Sequence, residues 1–331
     1  MKSPFVSVII PVKALSQYLL FENFPALKKQ IYKNFEVVVL PNKASKEDKS
    51  LLKQYSWLRI IPTGKVTRPA EKRDIGVKKS KGEIIAFIDD DACPASDWLQ
   101  NAVKFFSQKN IVAVCGPGVL PHKTNLWEKV FDEILKTWTG SGEYAYRFIP
   151  QKKRYVDDYP SMNFFVLKKE FLAVGGFNSE YWPGEDSKLC EDLVYRRHGK
   201  ILYSPTVLTY HHRRDNLLGF LRQHGNYGFH RGAFFAHGDR NSRRISYLIP
   251  TFFVLYLILL ILNSEYRILY TPLLLYFILG LLLIIQSFRN TKSILISLLT
   301  FPVLFLIHTT YGILFIKGFI KGIINKEHIY N

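Results

Sequence analysis

The chain has 331 residues, 48% of them hydrophobic, and a formal net charge of +18 from 45 Lys and Arg against 27 Asp and Glu. Its three cysteines, Cys93, Cys115 and Cys190, show no C-x-x-C or other metal-ligand spacing, so no disulfide framework or thiolate metal site is expected and a reduced compartment is. The basic surplus calls for anionic partners such as lipid headgroups or phosphorylated metabolites; nucleic acid is disfavoured because the basic residues are dispersed and aromatics do not interleave with them.

In chain order, "FVSVIIPV" is a β-branched run that reads as a buried strand ending at Pro11, not as a signal peptide. A helical stretch around "LLFENFPALKKQ" follows, then a second strand in "FEVVVLPN", a helix in "SKEDKSLLKQY" and a short strand in "LRIIPTG". The segment "PAEKRDIGVKKS" has Pro69 at a helix start and leads into the strand "EIIAFIDDD". Strands alternating with helices at this spacing predict an α/β domain with a mostly parallel, Rossmann-like sheet. Ligands of such sheets sit beyond the carboxyl ends of the strands, where Pro11, Asn42 and the Asp89–Asp91 triplet fall.

"VAVCGPGVL" reads as a further strand. In "NLWEKVFDEILKTW", Leu126, Trp127, Val130, Phe131, Ile134, Leu135 and Trp138 recur at helical spacing. This amphipathic helix is expected either to pack on the sheet or to lie on a membrane surface. "MNFFVLKKEFLAVGGF" reads as strand, helix and Gly-Gly turn. Beyond it, three apolar stretches at 246–263, 268–286 and 293–316 approach or reach the roughly 20 residues that a membrane helix needs. The expected organisation is a catalytic domain over 1–235, a basic linker over 236–245, membrane helices over 246–316 and a basic tail over 317–331.

Three adjacent carboxylates at the end of a buried strand repel one another unless a positive group sits among them. Asp89 and Asp91 form a D-x-D pair whose hard oxygens suit Mg2+ or Mn2+ completed by substrate phosphates; an acidic turn paired with nearby Lys and Arg is the alternative. A second acidic pair, Glu185 and Asp186, follows Pro-Gly at a loop-to-helix junction. Asp186 there is either an N-cap or a general base. His211 and His212 end a strand in "LTYHHRR", so that either can be a metal ligand, and Arg213 can meet a phosphate. Arg222 and Gln223 lie in a basic membrane-proximal helix. Lys72 and Arg73 either neutralise a diphosphate or form a solvated helix face.

Taken in order, "VSVIIPV", "NFEVVVLPN", "AEKRDIGVKKSKGEIIAFIDDDACPASDWL" and "GGFNSEYWPGEDSKLCEDLVYRRHGKILYSPTVLTYHHRR" resemble the family-2 glycosyltransferases over residues 4 to 235. The resemblance implies the GT-A nucleotide-diphospho-sugar transferase fold. It implies that Pro11 and Asn42 line the base, that Lys72, Arg73, Asp89 and Asp90 contact the donor, and that Asp91, Asp89 and His211 or His212 hold Mg2+ or Mn2+. Asp186 is then the catalytic base beside Glu185, with Trp182, Arg213, Arg222 and Gln223 as acceptor or diphosphate contacts. Two positions depart from the family: Asn42 stands where aspartate is usual, and Asp74 where asparagine is frequent. The nucleobase is therefore left open, because Asn is a mixed donor and acceptor.

The expected activity is inverting transfer of a sugar from a nucleotide-diphospho-sugar to a lipid-linked or glycan acceptor at the membrane. Alternatives are a nucleotidyltransferase, a polyprenyl-phosphate sugar transferase or a non-catalytic membrane-surface binding protein. Arg240, Arg243 and Arg244 precede the first apolar stretch, so the positive-inside rule puts the catalytic domain in the cytoplasm, under the cell membrane. Lys317, Lys321 and Lys326 then end outside after three full crossings. A re-entrant third stretch, with Pro302 and the polar residues His308, Thr309 and Thr310, would keep them inside.

Overall fold

The structure is a computed structural model and describes residues 3–177 and 184–324; Trp182 and the last residues of the tail lie outside the described residues. The chain folds as two units. The first is Met1–Val119 with Ile149–His211, and the second is Leu120–Phe148 with His212–Asn331. In this division the chain passes into the second unit at Leu120, returns to the first at Ile149 and enters the second again at His212, so a segment from the middle of the sequence leaves the first unit for the second.

The first unit is built on an eight-stranded sheet in the order β3-β2-β1-β4-β9-β6-β10-β8. Its strands are β1 (Val6–Pro11), β2 (Phe35–Leu40), β3 (Leu58–Ile60), β4 (Ile84–Ile88), β6 (Ile111–Cys115), β8 (Arg154–Val156), β9 (Asn163–Leu167) and β10 (Lys200–Tyr203). The first four are mutually parallel, and β9 runs antiparallel between β4 and β6. Every residue of β1, β2, β4 and β6 is buried, which is why they read as unbroken apolar runs rather than alternating ones. Helices α1 (Phe24–Lys28), α2 (Asp48–Gln54), α3 (Pro69–Lys79), α4 (Trp98–Val103), α7 (Lys168–Ala173) and α8 (Glu185–Glu191) join them.

The chain winds from β1 outward through β2 and β3, then returns to place β4 on the other side of β1. That reversal opens a crevice at the carboxyl ends of β1 and β4, where Pro11 and Asp89 stand. Helix α3 packs tightly on this part of the sheet, since a Cβ on Gly76 would lie 2.6 Å from Ile9 Cγ2. Lys72 and Arg73, one turn earlier, reach the strand ends.

A second sheet in the order β5-β11-β7 joins β5 (Ala92–Pro94), β11 (Thr209–His211) and β7 (Gly118–Val119). Asn163 at the start of β9 holds its surroundings: it accepts from Trp98 Nε1 at 2.8 Å and donates to the carbonyls of Gly116 at 2.7 Å and Val207 at 2.8 Å. Those carbonyls belong to the loops that lead into β7 and β11.

The second unit contains α5 (Leu126–Leu135), α6 (Trp138–Ser141), α9 (Leu217–His237), α10 (Ile245–Leu262), α11 (Tyr270–Thr291) and α12 (Ile294–Ile324). Helix α5 starts with a capping box, Asn125 and Glu128 bonding each other's backbone N–H. Its apolar face buries Val130, Phe131, Ile134 and Leu135 with Phe220 of α9 and Ile296, Val303, Leu304 and Ile307 of α12. The amphipathic helix thus packs on the C-terminal helices and not on the sheet. Helices α10 and α12, and α11 with the short turn before it, are each long and apolar enough to cross a membrane.

Replacing Asn163 by Ala strands an indole N–H and the buried Val207 carbonyl, while the Gly116 carbonyl keeps the Tyr159 hydroxyl. The expected cost is at least about 2 kcal/mol, read from chemical denaturation of the purified protein; an unchanged midpoint would remove Asn163 from this role.

Candidate active site

Antiparallel pairing of β11 with β5 puts His211 opposite Ala92, the residue after Asp91. His211 Nε2 lies 3.2 Å from Asp91 Oδ1. Asp89, Asp91 and His211 each bring one ligand atom into a cluster whose atoms are within 4.8 Å of one another. Two carboxylate oxygens and an imidazole suit a divalent cation such as Mn2+ or Mg2+, with open positions left for phosphate oxygens and water. Alternate residues of a strand face opposite ways, so only one of the two histidines can join the cluster. It is His211. His212 is buried in the second unit with Nδ1 2.6 Å from Glu128 Oε1 and is not among the three residues brought together.

Asp90, the middle carboxylate, is pushed up to about 6 by burial and by the charges of Asp91 and Asp89, while Ser16 bonds it. Arg73 is buried, with NH2 2.8 Å from Asp89 Oδ1 and NH1 3.6 Å from Glu185 Oε1. The guanidinium thus bridges the metal-type cluster and the acidic pair at the start of α8. Its face lies 5.5 Å from the Phe177 ring centroid.

Asp186 is only partly exposed, and its Oδ1 is buried without a hydrogen-bond partner among the described residues. Burial and then the neighbouring Glu185 raise its pKa to about 7, against opposing effects of Arg73 and a hydrogen bond from Ser161. A carboxyl group poised near neutrality is what proton abstraction at physiological pH requires. No N-cap role is seen for it, since α8 begins at Glu185 with Gly184 as its cap residue. Ser187, next along α8, is tied to the buried Asp158 at 2.7 Å.

Lys72 is buried beneath the ends of β1 and β2. It donates to the Val12 carbonyl, to the Leu40 carbonyl at 3.2 Å and to Asn42 Oδ1 at 2.5 Å, and burial lowers its pKa. An ammonium has only donors, so Asn42 must turn its oxygen toward Lys72. Asp74 accepts from the Phe177 N–H at 3.0 Å and is pushed up to about 6 by burial. It clamps a turn in which Gly175 and Gly176 have φ of +94° and +81°.

The remaining candidates lie in the second unit. Arg213 is buried and bonded to Asp132 Oδ1 through Nε at 3.2 Å and NH2 at 2.8 Å. Arg222 is exposed on α9, and Gln223 accepts from Arg214 and donates to Tyr227. Ser161 and Asp158 were missed in the sequence, where nothing but proximity in the fold marks them.

The sequence profile of Glycosyl transferase family 2 matches residues 7–171. Glycosyltransferase AglE of Haloferax volcanii is 32% identical over 123 residues, 34% of this chain and 39% of that protein. A dolichyl N-acetyl-alpha-D-glucosaminyl phosphate 3-beta-D-2,3-diacetamido-2,3-dideoxy-beta-D-glucuronosyltransferase of Methanococcus voltae is 22% identical across 96% of this chain and 98% of its own. Among solved structures, the mannosyltransferase PcManGT from Pyrobaculum calidifontis, in complex with GDP-Man and Mn2+, superposes with a TM-score of 0.57 at 18% identity, covering 98% of this chain and 88% of that one. The fold is that of the GT-A nucleotide-sugar transferases. The chain belongs to glycosyl transferase family 2.

Removing the Arg73 charge leaves Asp89 and Glu185 facing each other across a buried gap. Arg73→Met is expected to destabilise the protein by about 3–5 kcal/mol, and Glu185→Gln in that background to recover part of the loss. Additive effects of the two changes on the unfolding free energy would show that they do not share an interaction.

Proposed function

We propose that the protein is a metal-dependent, inverting glycosyltransferase that works at a membrane from a nucleotide-diphospho-sugar donor onto a lipid-linked or glycan hydroxyl. The observation that carries this reading is the Arg73 bridge, which joins the Asp89–Asp91–His211 cluster to the helix that carries Asp186. A donor-side charge site and a buried base within one unit are the two halves of a direct displacement at an anomeric carbon.

Asp89, Asp91 and His211 would hold Mg2+ or Mn2+, which when bound supplies charge neutralisation for the diphosphate. Asn42, its oxygen held by Lys72, offers amide N–H groups to acceptor atoms of the base. Asp186 takes the proton of the acceptor hydroxyl as the oxygen attacks, and the nucleoside diphosphate leaves from the opposite side. One in-line attack on an α-linked donor gives a β-linked product. The catalytic unit faces the cytoplasm in this reading, which is supported by Arg240, Arg243 and Arg244 before α10 and by the supply of nucleotide sugars.

Asp91→Asn should weaken Mn2+ binding, followed by electron paramagnetic resonance, and nearly abolish transfer in a folded protein. Full activity of that variant, or of the wild type in excess chelator, would end the metal assignment.

Since the base acts deprotonated, kcat/KM should fall as pH drops through about 7, the value set by burial of Asp186. Asp186→Asn should keep donor binding and lose transfer by about 10²–10⁴-fold. A lipid phosphate is already an anion and needs no base. Wild-type transfer rates in Asp186→Asn would therefore favour the polyprenyl-phosphate reading over a hydroxyl acceptor.

A further inference from the structure

Asp186 is the second residue of α8, a helix of seven residues that starts without a side-chain cap. Successive residues of an α-helix are turned by about 100° from one another. Rotating α8 by one residue would therefore bring Glu185 or Ser187 to the place of Asp186. So short a helix has no hold on its own orientation, and the groups around it must supply one.

They come from one stretch of the first unit, residues 157–161. Ser187 Oγ donates to Asp158 Oδ1 at 2.7 Å in a buried pair. One turn on, the Cys190 thiol donates to the Tyr159 carbonyl at 3.5 Å. Further along, the Tyr195 hydroxyl donates to Asp157 Oδ2 at 2.5 Å. Helix α8 runs on into a π turn over Asp192–Arg196. A π turn holds more residues than an α turn, which carries Tyr195 round towards the face of Ser187 and Cys190. Three donors of the helical segment thus meet three successive residues, Asp157, Asp158 and Tyr159. Two residues later in that stretch, Ser161 bonds Asp186 itself.

The stretch is fixed at both ends. It follows β8, which pairs antiparallel with β10, and it leads to Asn163 at the start of β9, which pairs with β4. In its middle the Tyr159 hydroxyl donates to the Gly116 carbonyl at 2.5 Å, the carbonyl that Asn163 also takes. Asp158 is 2% exposed, so its carboxylate cannot swing out to water. On the other side of Asp186 in sequence, Glu185 Oε1 lies 3.6 Å from Arg73 NH1. The acid between them is held by anchors on both of its neighbours.

We propose that Asp158 is a positioning residue for sugar transfer: through the Ser187 hydroxyl it sets the rotation of α8 and so aims Asp186 at the acceptor. Asp158 is not among the residues of the metal-type cluster, and it acts on the reaction through another side chain. The proposal rests on the reading of Asp186 as the base. Loss of a purely structural contact weakens the protein whatever stands at position 186. Loss of an aiming contact matters only while a base is there to be aimed.

The full chain is tested for Mn2+-dependent hydrolysis of a panel of UDP-, GDP-, CDP- and dTDP-sugars, with water in place of the acceptor hydroxyl, and the fastest donor is carried forward. Ser187→Ala should lower kcat by about 10–100-fold, the scale of a misplaced catalytic group. Donor KM, and Mn2+ affinity followed by electron paramagnetic resonance, should stay at their wild-type values. Asp158→Asn keeps an oxygen for Ser187 but weakens it as an acceptor, so it should show a smaller loss of the same kind; it carries the test if Ser187→Ala does not fold. Added to Asp186→Asn, either change should cost nothing further. Wild-type kcat in a folded Ser187→Ala, beside an inactive Asp186→Asn, would overturn the positioning role and leave the base standing. Equal losses with and without the Asp186 carboxylate would overturn it too, as the mark of a structural contact. Wild-type rates in Asp186→Asn, or no nucleoside diphosphate released from any donor, would overturn the base and this proposal with it.

Discussion

Five carboxylates crowd the catalytic unit's crevice, and a single buried guanidinium makes their company tolerable. Arg73 reaches Asp89 with one nitrogen and Glu185 with another, so the charge at the end of β4 and the charge at the start of α8 are balanced by the same side chain. A lysine could not do this, because its point charge lacks the planar fork that addresses two acceptors in fixed directions. Helix α3 supplies the guanidinium because it packs close on β1 and presents successive residues to the strand ends. Lys72 satisfies carbonyls at the ends of β1 and β2, and Arg73 satisfies acids. The position of α3 on the sheet therefore sets both the polar contacts at the ends of β1 and β2 and the electrostatics around the proposed base.

A second constraint is register. His211 meets Asp91 only because a three-residue strand pairs with Ala92–Pro94 in one particular alignment. So short a strand has little hold of its own. The peptide carbonyls on either side are fixed by Asn163, and the residues after His211 are fixed in the second unit by His212 on Glu128 and Arg213 on Asp132. The small sheet is thus held by side-chain hydrogen bonds around it more than by its own ladder.

Much of this was legible in the sequence because it is local. Unbroken β-branched runs announced the parallel strands, Pro69 announced the start of α3, and the Asp triplet announced a charge site. What escaped was long-range pairing. Nothing near His211 and His212 says which of them faces Asp91, since that depends on a strand 120 residues earlier. Nothing near Arg213 announces that Asp132, 81 residues away, bonds it. The apolar spacing of α5 predicted the helix and its buried face correctly, but the same face fits a sheet or another helix equally well, and only the fold shows that α12 is its partner. The Asn at position 42 likewise gained meaning only through Lys72, which lies 30 residues on and dictates which end of the amide is offered to a ligand.

The crossing of Leu120–Phe148 into the second unit has a consequence for how the chain is made. Helix α5 leaves the ribosome with Val130, Phe131, Ile134 and Leu135 exposed, while its partner on α12 begins about 160 residues later. At roughly 5–20 residues per second the wait is on the order of ten seconds or more. During the earlier part of that interval, until residues 163–203 have emerged, β6 also lacks β9 and β10, the neighbours that cover both of its edges. Neither unit can be completed before translation is well past its midpoint, so the nascent chain carries a sticky helix and an open sheet edge together. Until α12 emerges, the apolar face of α5 has no partner within its own unit, so the completion of the second unit waits on the last helix of the chain.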